Sequence, residues 1–311
     1  MKYFRYAAIF FLVILATVPL LSCAIRTNPY CLTGAFLGDK PSRKDIAEFQ
    51  DKYGKKPFFI MVFVDWGHFV DKEIIKDVYS EGSQLIITWE PWYAKEKKGI
   101  DYEAMLSGKY DEYIEKFCDR IKTVKEAVLI RFAHEMNGNW YPWSGSIIGK
   151  EKYKKIYQYV KDVFDKKGTA NIKWIFSVNA ADVPSDESNK FMLYYPGDAY
   201  VDYIGIDGYN WGNTKSWSRW MSFREIFDKR YNEVIANTKK PVLISEFSST
   251  SSGGNKTRWI KEAMNDIKQM KKIEGFILFN VNKETNWSFP ADKDSGKEFK
   301  KQLKDGYFKE V

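Results

Sequence analysis

The sequence predicts an α/β protein built as a single (β/α)8 barrel, the TIM-barrel fold. Eight short apolar runs alternate with amphipathic stretches along one unbroken length of chain. Polar and aromatic residues follow most of these runs directly, at the end of the barrel where functional residues of this fold lie. A doubly wound sheet is the alternative, but it usually has fewer strands and a Gly-rich first turn, which this sequence lacks.

The elements follow one another in a regular order. Apolar runs of strand length predict strands at 32–37, 58–64, 84–89, 127–132, 172–178, 203–207, 242–246 and 275–280. Amphipathic spacing predicts helices at 42–53, 71–80, 110–125, 150–166, 222–237, 256–272 and 295–305. The helix at 150–166 is the clearest, because Tyr153, Ile156, Val160 and Phe164 share one face.

The first 23 residues have the pattern of a signal peptide. Lys2 and Arg5 precede an uncharged run rich in Ile, Leu, Phe and Val, which gives a positive n-region and an apolar h-region. The run ends in Pro19-Leu-Leu-Ser-Cys23, which resembles a bacterial lipobox, so we predict a lipidated Cys23 that anchors the chain to a membrane. An ordinary cleaved signal peptide and an uncleaved anchor are the alternatives. Each places the rest of the chain outside the cytoplasm, secreted or at the cell surface.

Residues 24–311 are predicted to form one catalytic domain, since no linker, low-complexity tract or repeat divides them. The net charge of +8 comes from lysines scattered among acids, which indicates a solvated basic surface rather than nucleic-acid binding. Cys31 and Cys118 cannot form a disulfide framework; Cys118 is predicted to be a buried thiol, and its pairing with Cys31 is left open. We expect a monomer that requires no cofactor.

Two glutamates stand in the setting of a catalytic pair. Glu135 follows the fourth predicted strand within His134-Glu-Met-Asn-Gly, and Glu246 ends the seventh within Pro241-Val-Leu-Ile-Ser-Glu. Strands four and seven lie nearly opposite in an eight-stranded barrel, so the two carboxyls can face each other across the cleft. Carboxyls roughly 5–5.5 Å apart would cleave a glycosidic bond with retention, whereas a wider gap would admit a water and give inversion.

The two carboxyls are predicted to take different roles. Glu135 is expected to be the acid, with a pKa raised by the neighbouring carboxylate and the aromatic surroundings. Glu246 is expected to be the nucleophile, kept ionised by donors such as Tyr209. A zinc-dependent hydrolase is excluded because its histidines are missing. His134-Glu135 begins like the zinc motif His-Glu-x-x-His, but position 138 is Gly, and His68 is the only other histidine of the sequence.

Aromatic and polar residues after the strand ends are predicted to line a sugar-binding cleft. We expect three of five tryptophans that follow strand ends to stack on sugar rings; the five are Trp89, Trp140, Trp143, Trp211 and Trp287. His68 is expected to be either a polar rim residue or a hydrogen-bond partner of the sugar. Asn280 is a further candidate for substrate binding at the end of the eighth strand.

The chain resembles glycoside hydrolase family 26 from Gly34 to Trp287. The most specific element is Arg131-x-x-His-Glu-Met-Asn-Gly-x-Trp140, with His rather than Asn before the acid. The resemblance implies a retaining barrel with the acid/base on strand four and the nucleophile on strand seven. The roles it implies are acid/base for Glu135, nucleophile for Glu246, positioning of the nucleophile for His134, a hydrogen bond to Glu246 for Tyr209, cleft lining for Trp140, and support for Asp207 and Arg131.

The resemblance leaves the substrate between two polysaccharides. The family includes β-1,4-mannanases, mixed-linkage β-1,3-1,4-glucanases and β-1,3-xylanases, and its mannanases carry a Trp-Arg pair at the end of strand eight. This chain has Phe279-Asn280 there, which is closer to the glucanases. The implied activity is a retaining endo-β-glycanase acting on β-1,4 linkages of mixed-linkage glucan or mannan. The alternatives are a cell-surface carbohydrate-binding barrel and a barrel that remodels the cell's own exopolysaccharide.

Overall fold

A computed structural model describes residues 29–290 and 292–310. Eight parallel strands close into a barrel, because the first strand pairs with both the second and the eighth. The strands are β1 Cys31–Phe36, β2 Phe59–Asp65, β3 Gln84–Glu90, β4 Val128–Phe132, β5 Ile172–Asn179, β6 Tyr203–Asn210, β7 Val242–Ser249 and β8 Ile273–Phe279. The predicted (β/α)8 fold is confirmed. The predicted leader and Cys23 lie outside the described residues.

Helices pack around the outside of the barrel. They are α1 Arg43–Tyr53, α2 Lys72–Ser80, α3 Asp111–Ile121, α4 Lys150–Lys166, α5 Phe223–Asn237, α6 Lys256–Gln269 and α7 Asp294–Leu303. Between β5 and β6 the chain instead forms three short 3-10 turns, at Glu187–Asn189, Phe191–Tyr194 and Asp198–Tyr200. In the described part of the chain, none of the helices has the length and apolarity needed to cross a bilayer.

Short helices and strands that the sequence did not predict lie at the C-terminal ends of the barrel strands. The helices Tyr102–Leu106 and Gly145–Ile148 lie in the connections after β3 and β4, and Trp92–Tyr93 pairs with Lys98–Gly99. A further strand, Phe308–Lys309, pairs with β1 at the opposite end of the barrel.

Local capping explains where two of the helices begin. Ser42 and Ser222 each accept a hydrogen bond from the third helical residue, and the Asp45 and Glu225 side chains reach back to them. Each capping box satisfies two backbone N–H groups that the helix itself cannot pair. The local sequence therefore determines where α1 begins after β1 and where α5 begins after β6.

Two apolar layers hold the barrel together. The inner layer fills the barrel with side chains that alternate along the strands: Phe59, Met61, Ile86, Leu129, Ile175, Leu243 and Ile277. The outer layer lies between strands and helices and includes Cys118, which is fully buried on α3. Cys31 and Cys118 are both free thiols, so the pairing that the sequence left open does not occur.

Candidate active site

The end of β7 carries an extra residue that aims Glu246 inward. Ile206 of β6 pairs with Ile244, but the next residue, Asp207, pairs with Glu246, so Ser245 forms a β-bulge. Successive strand residues normally face opposite sides. Because of the bulge, Ser245 Oγ can donate to Asp207 Oδ1 at 2.7 Å inside the barrel while the Glu246 carboxylate also lies among the interior charges.

The loop after β4 is strained where it presents Glu135. Ala133 and Glu135 have φ values of 46° and 53°, a left-handed conformation that costs a non-glycine residue roughly 1–3 kcal/mol. Hydrogen bonds fix the segment: Tyr153 Oη donates to the Ala133 carbonyl at 3.0 Å, and Trp143 Nε1 donates to the His134 carbonyl at 2.7 Å. These hydrogen bonds offset the free-energy cost of the left-handed backbone at the residue predicted to be the acid.

The Glu135 carboxyl is buried and bonded by neutral donors. It is 8% exposed, and it accepts hydrogen bonds of 2.8 Å from Trp140 Nε1 and 2.8 Å from Asn179 Nδ2. Burial raises its pKa to about 8, and the nearby carboxylates of Asp207 and Glu246 add to the rise. The raised pKa favours the protonated form of Glu135, which is the state that a general acid requires.

The Glu246 carboxylate has a cation and a phenol as partners. Arg131 Nη1 lies 2.7 Å from Glu246 Oε1. That contact is an ion pair whose alignment falls short of a directed hydrogen bond, since Oε1 has no hydrogen-bond partner among the described residues. Tyr209 Oη donates to Oε2, as the resemblance implied. Burial raises the pKa of Glu246, while Arg131 and Tyr209 oppose that rise. The ionised form is thus favoured more at Glu246 than at Glu135.

Arg131 and Asp207 form the support beneath the pair. Both side chains are fully enclosed, and Arg131 Nη2 lies 2.6 Å from Asp207 Oδ2. Arg131 also donates to Thr88 Oγ1 at 2.9 Å and to Ser177 Oγ at 3.0 Å. Burial alone would lower the pKa of Arg131, but Asp207 and Glu246 raise it above its usual value. Arg131 therefore stays charged, and neither side chain is exposed to a ligand in the cleft.

His134 lies beside Tyr141. Its Nε2 is 3.1 Å from Tyr141 Oη, and its Nδ1 is buried with no hydrogen-bond partner among the described residues. Burial, followed by the charges of Arg131 and Lys283, holds the pKa of His134 well below its usual value, so the imidazole is neutral. The hydrogen-bonding partner that the structure gives His134 is thus Tyr141, and its role in positioning the nucleophile stays a prediction.

The five predicted tryptophans differ in their access to the cleft. Trp140 is 43% exposed beside Glu135, and Trp211 is half-buried. Trp287 is buried, with its ring centroid 4.7 Å from that of Tyr209 and 4.8 Å from that of Trp211. It supports the cleft wall from behind, so the expectation that it stacks on a sugar is corrected.

Trp89 and Trp143 are also corrected, because neither is exposed. Strand alternation turns Trp89 outward, where its ring stacks 4.1 Å from Phe117 of α3. Trp143 stacks 4.3 Å from Tyr141 and is tied by its indole N–H to the backbone below Glu135. Sequence position after a strand could not distinguish an indole that faces the cleft from one that faces a helix.

The two polar candidates have local partners. His68 is exposed, and its Nδ1 lies 2.6 Å from Asp65 Oδ1, which makes it a rim residue of the barrel mouth. Asn280 donates to Tyr53 Oη at 3.1 Å and accepts from the Phe289 N–H at 2.7 Å. Its amide is thus used to fix the segment after β8, which corrects its assignment to substrate binding.

Sequence reasoning missed several residues of the site. Glu90 ends β3 and is buried; burial raises its pKa to about 7, and the hydrogen bond from Trp92 opposes the rise. Asn179, at the end of β5, is the second donor to Glu135. Trp217 is 71% exposed, with its ring 5.5 Å from that of Trp211. Glu90 could have been found, because it follows a buried strand as Glu246 does.

The fold and the site together define a class of protein. Two buried glutamates, one held by neutral donors and one by a cation and a phenol, lie at the C-terminal ends of β4 and β7 of a (β/α)8 barrel. That arrangement is typical of glycoside hydrolases. Within residues 29–290 and 292–310, no group of three or more His, Cys, Asp and Glu side chains is arranged to hold a metal ion.

The chain belongs to glycosyl hydrolase family 26, whose profile matches residues 88–271. It is 39% identical over 264 residues to endoglucanase H of Acetivibrio thermocellus, which covers 82% of this chain and 28% of that protein. It is 30% identical over 173 residues to the mannan endo-1,4-beta-mannosidase of Bacillus subtilis strain 168, covering 51% of this chain and 41% of that protein. The chain thus spans less than half the length of either relative.

Solved structures show the same fold. The family 26 domain of an endo-beta-mannanase/endo-beta-glucanase from Prevotella bryantii superimposes with a TM-score of 0.67 at 15% identity, covering 91% of each chain. A Bacillus subtilis mannanase superimposes with a TM-score of 0.67 at 20% identity, covering 91% of this chain and 87% of that one. At these identities the likeness supports the architecture alone.

Proposed function

We propose that this protein is a retaining endo-β-glycanase that cleaves β-1,4 linkages. Its favoured substrate is mixed-linkage β-1,3-1,4-glucan, and β-1,4-mannan is the alternative. Glu135 is the acid/base and Glu246 the nucleophile. The observation that carries the proposal is the asymmetry of the two carboxyls. Glu246 contacts Arg131 and Tyr209, whereas Trp140 and Asn179, both neutral, bond Glu135.

The asymmetry supports the following order of steps. The ionised Glu246 attacks the anomeric carbon, and the departing glycosidic oxygen takes the proton of Glu135, so a glycosyl ester forms on Glu246 as the glycosidic bond breaks. Glu135, now a carboxylate, then takes a proton from water, which attacks the same carbon and releases Glu246. Two displacements at one carbon give net retention.

Arg131 and Tyr209 have a defined part in this cycle. Their interactions stabilise the negative charge of Glu246 before attack and again when it leaves. Trp140 connects the acid to the cleft, since its indole N–H bonds Glu135 while its ring remains 43% exposed. The same side chain can therefore orient the proton donor and stack on the sugar whose oxygen is protonated.

Two observations favour glucan over mannan. The segment after β8 begins Phe279-Asn280, where the family's mannanases carry a Trp-Arg pair, and Asn280 is occupied by Tyr53 and Phe289. The relative with 39% identity over 82% of the chain is named an endoglucanase. Neither observation touches the hydrolytic mechanism, which would be the same on either polymer.

The test is a reducing-end release assay on barley β-glucan, glucomannan, galactomannan and β-1,3-xylan, with proton NMR of the first product formed. We expect cleavage of barley β-glucan, a β-configured first product, and a loss of turnover by several powers of ten in Glu246→Ala. An α-configured first product would refute retention. Cleavage of mannans alone would refute the substrate assignment, and undiminished activity of the Glu246→Ala variant would refute the nucleophile assignment.

A carbohydrate-binding or exopolysaccharide-remodelling barrel is the second candidate; the lipobox-like sequence that ends at Cys23 favours the remodelling form. We propose that the protein acts outside the cytoplasm, as a monomer held to the membrane through that residue. Incorporation of labelled palmitate that is lost in Cys23→Ala would support the anchor. Binding of glycans without release of reducing ends would favour the binding barrel.

A further inference from the structure

Three phenylalanines form an apolar floor at the mouth of the barrel, next to the proposed catalytic pair. The rings of Phe36 and Phe279 stack at 4.6 Å, and Phe63 meets them at 5.3 and 6.3 Å. Phe279 lies 5.7 Å from the ring of Tyr209, and Phe63 lies 6.0 Å from that of His134. The floor therefore begins where the predicted chemistry takes place.

Lys283 places its ammonium over this floor. Its Nζ lies 5.4 Å from the centre of Phe63 and 5.8 Å from that of Phe279, although the side chain is 56% exposed. The lysine projects from a tight turn in which Asn282 bridges Asn286. An exposed lysine would ordinarily extend into water, so this position above two rings is a specific arrangement.

The turn that carries Lys283 is anchored to the body of the protein. Lys256 Nζ donates to the carbonyls of Asn286 at 3.2 Å and Ser288 at 2.7 Å. Trp287 Nε1 donates to Glu284 Oε2 at 3.1 Å, which ties the tip of the turn to its base. These contacts restrict the positions open to Lys283, so its ammonium is presented to the cleft by a braced segment.

Glu90 lies on the strand that pairs with the strand of Phe63. It ends β3, and its Oε2 accepts a hydrogen bond of 3.0 Å from Trp92, whose ring packs edge-on against Tyr141 at 5.6 Å. Arg131, Lys283 and Glu246 all act electrostatically on its carboxyl. Strand alternation puts Glu90 on the same inner face of β3 as Thr88, which bonds Arg131. Glu90 is thus a third carboxyl in the same cleft, and the proposed catalytic cycle does not use it.

We propose that Glu90 and Lys283 form a polar clamp that binds hydroxyls of a neutral pyranose placed beside the half-buried ring of Phe63. The proposal rests on the glycanase function proposed above and names two binding residues for it. The Phe63 ring suits the apolar face of a sugar, while a carboxyl and an ammonium supply one acceptor and one donor to its hydroxyls. Both residues bind substrate and neither takes part in bond cleavage.

The test compares Glu90→Gln and Lys283→Met with the unaltered protein on the polysaccharide that it cleaves best. Gln keeps the shape of Glu90 and can still accept from Trp92, and Met keeps the length of the lysine stem. We expect each variant to raise KM about tenfold with kcat within about threefold of the parent, because one hydrogen bond to a charged group is lost in both ground and transition states. Lys283→Arg keeps the positive charge, so its KM should stay close to that of the parent.

Glu96→Gln and Lys293→Met are the matched controls, since both residues are exposed and stand apart from the clamp. Unchanged KM in Glu90→Gln and Lys283→Met would overturn the clamp, as would a fall confined to kcat. Affinity electrophoresis in the Glu246→Ala background measures binding without turnover and must show the same order of variants. If the parent neither cleaves nor binds any glycan, the proposed function fails first; if it cleaves and the variants match it, only the clamp fails.

Discussion

Replacing Glu135 with glutamine should stabilise the barrel, by an amount that grows with pH. The pKa of Glu135 is raised from 4.5 to about 8, with burial the largest cause. Between those pH values the folded protein retains a proton that the unfolded chain has released. Raising the pH therefore favours unfolding, and stability falls across this range. Glutamine cannot ionise, so the variant lacks this loss.

The magnitude follows from the two pKa values. Ionisation of Glu135 on unfolding favours the unfolded chain by about 1 kcal/mol at pH 5 and about 3 kcal/mol at pH 7. Against this, one carboxyl oxygen becomes an NH2 group, which cannot accept the hydrogen bond from Asn179 Nδ2. The loss of that hydrogen bond costs about 1 kcal/mol. We therefore expect Glu135→Gln to be near parity with the parent at pH 5 and about 2 kcal/mol more stable at pH 7.

The assay is urea unfolding of both proteins at pH 5, 6, 7 and 8, with the free energy of unfolding obtained by linear extrapolation. Glu96→Gln, at an exposed position, should track the parent at every pH. A difference between parent and Glu135→Gln that stays constant from pH 5 to pH 8 would refute the reasoning, because it would show that Glu135 does not retain its proton in the folded state. Activity should meanwhile fall steeply in the variant.

Three further changes separate support, chemistry and packing. Arg131→Met leaves the buried carboxylates of Asp207 and Glu246 without their cation, so we expect a loss of about 3–5 kcal/mol in urea unfolding; a loss below about 1 kcal/mol would contradict the ion-pair geometry. Trp140→Phe removes the indole donor to the proposed acid, which should lower kcat about tenfold or more and leave the melting temperature nearly unchanged. Trp89→Ala should destabilise the fold by about 3–5 kcal/mol, whereas a soluble, equally stable variant with weakened glycan binding would restore Trp89 to the cleft.

The sequence was sufficient to predict the barrel and the positions of Glu135 and Glu246 at the ends of strands, because both depend on local patterns. Hydrophobic runs located all eight strands, with the largest differences at the ends of β6 and β7, which continue to Asn210 and Ser249. Those two ends are also where polar residues replace apolar ones, so hydrophobicity no longer marks the strand. The bulge at Ser245 lies in the same region and leaves no compositional trace.

The orientation of side chains was harder to predict than their position in the chain. Glu90 and Trp89 are adjacent at the end of β3, yet one faces the cleft and the other packs against Phe117. The difference is the strand alternation of period two, which a list of residues after strand ends ignores. Applied to β3, that alternation places Thr88 and Glu90 on the inner face, where Thr88 indeed contacts Arg131.

Several costly features of the described residues lie together at this rim. Ala133 and Glu135 take left-handed backbone conformations, His134 Nδ1 is buried without a hydrogen-bond partner in the described part of the chain, and Glu135 is desolvated with neutral partners. None of these helps a barrel to fold, and each lowers its stability. Such costs persist where surrounding structure compensates them and the resulting geometry has a use. A binding barrel would have no need of two buried carboxyls, one held by neutral donors and the other by a cation and a phenol, so this arrangement favours catalysis over binding alone.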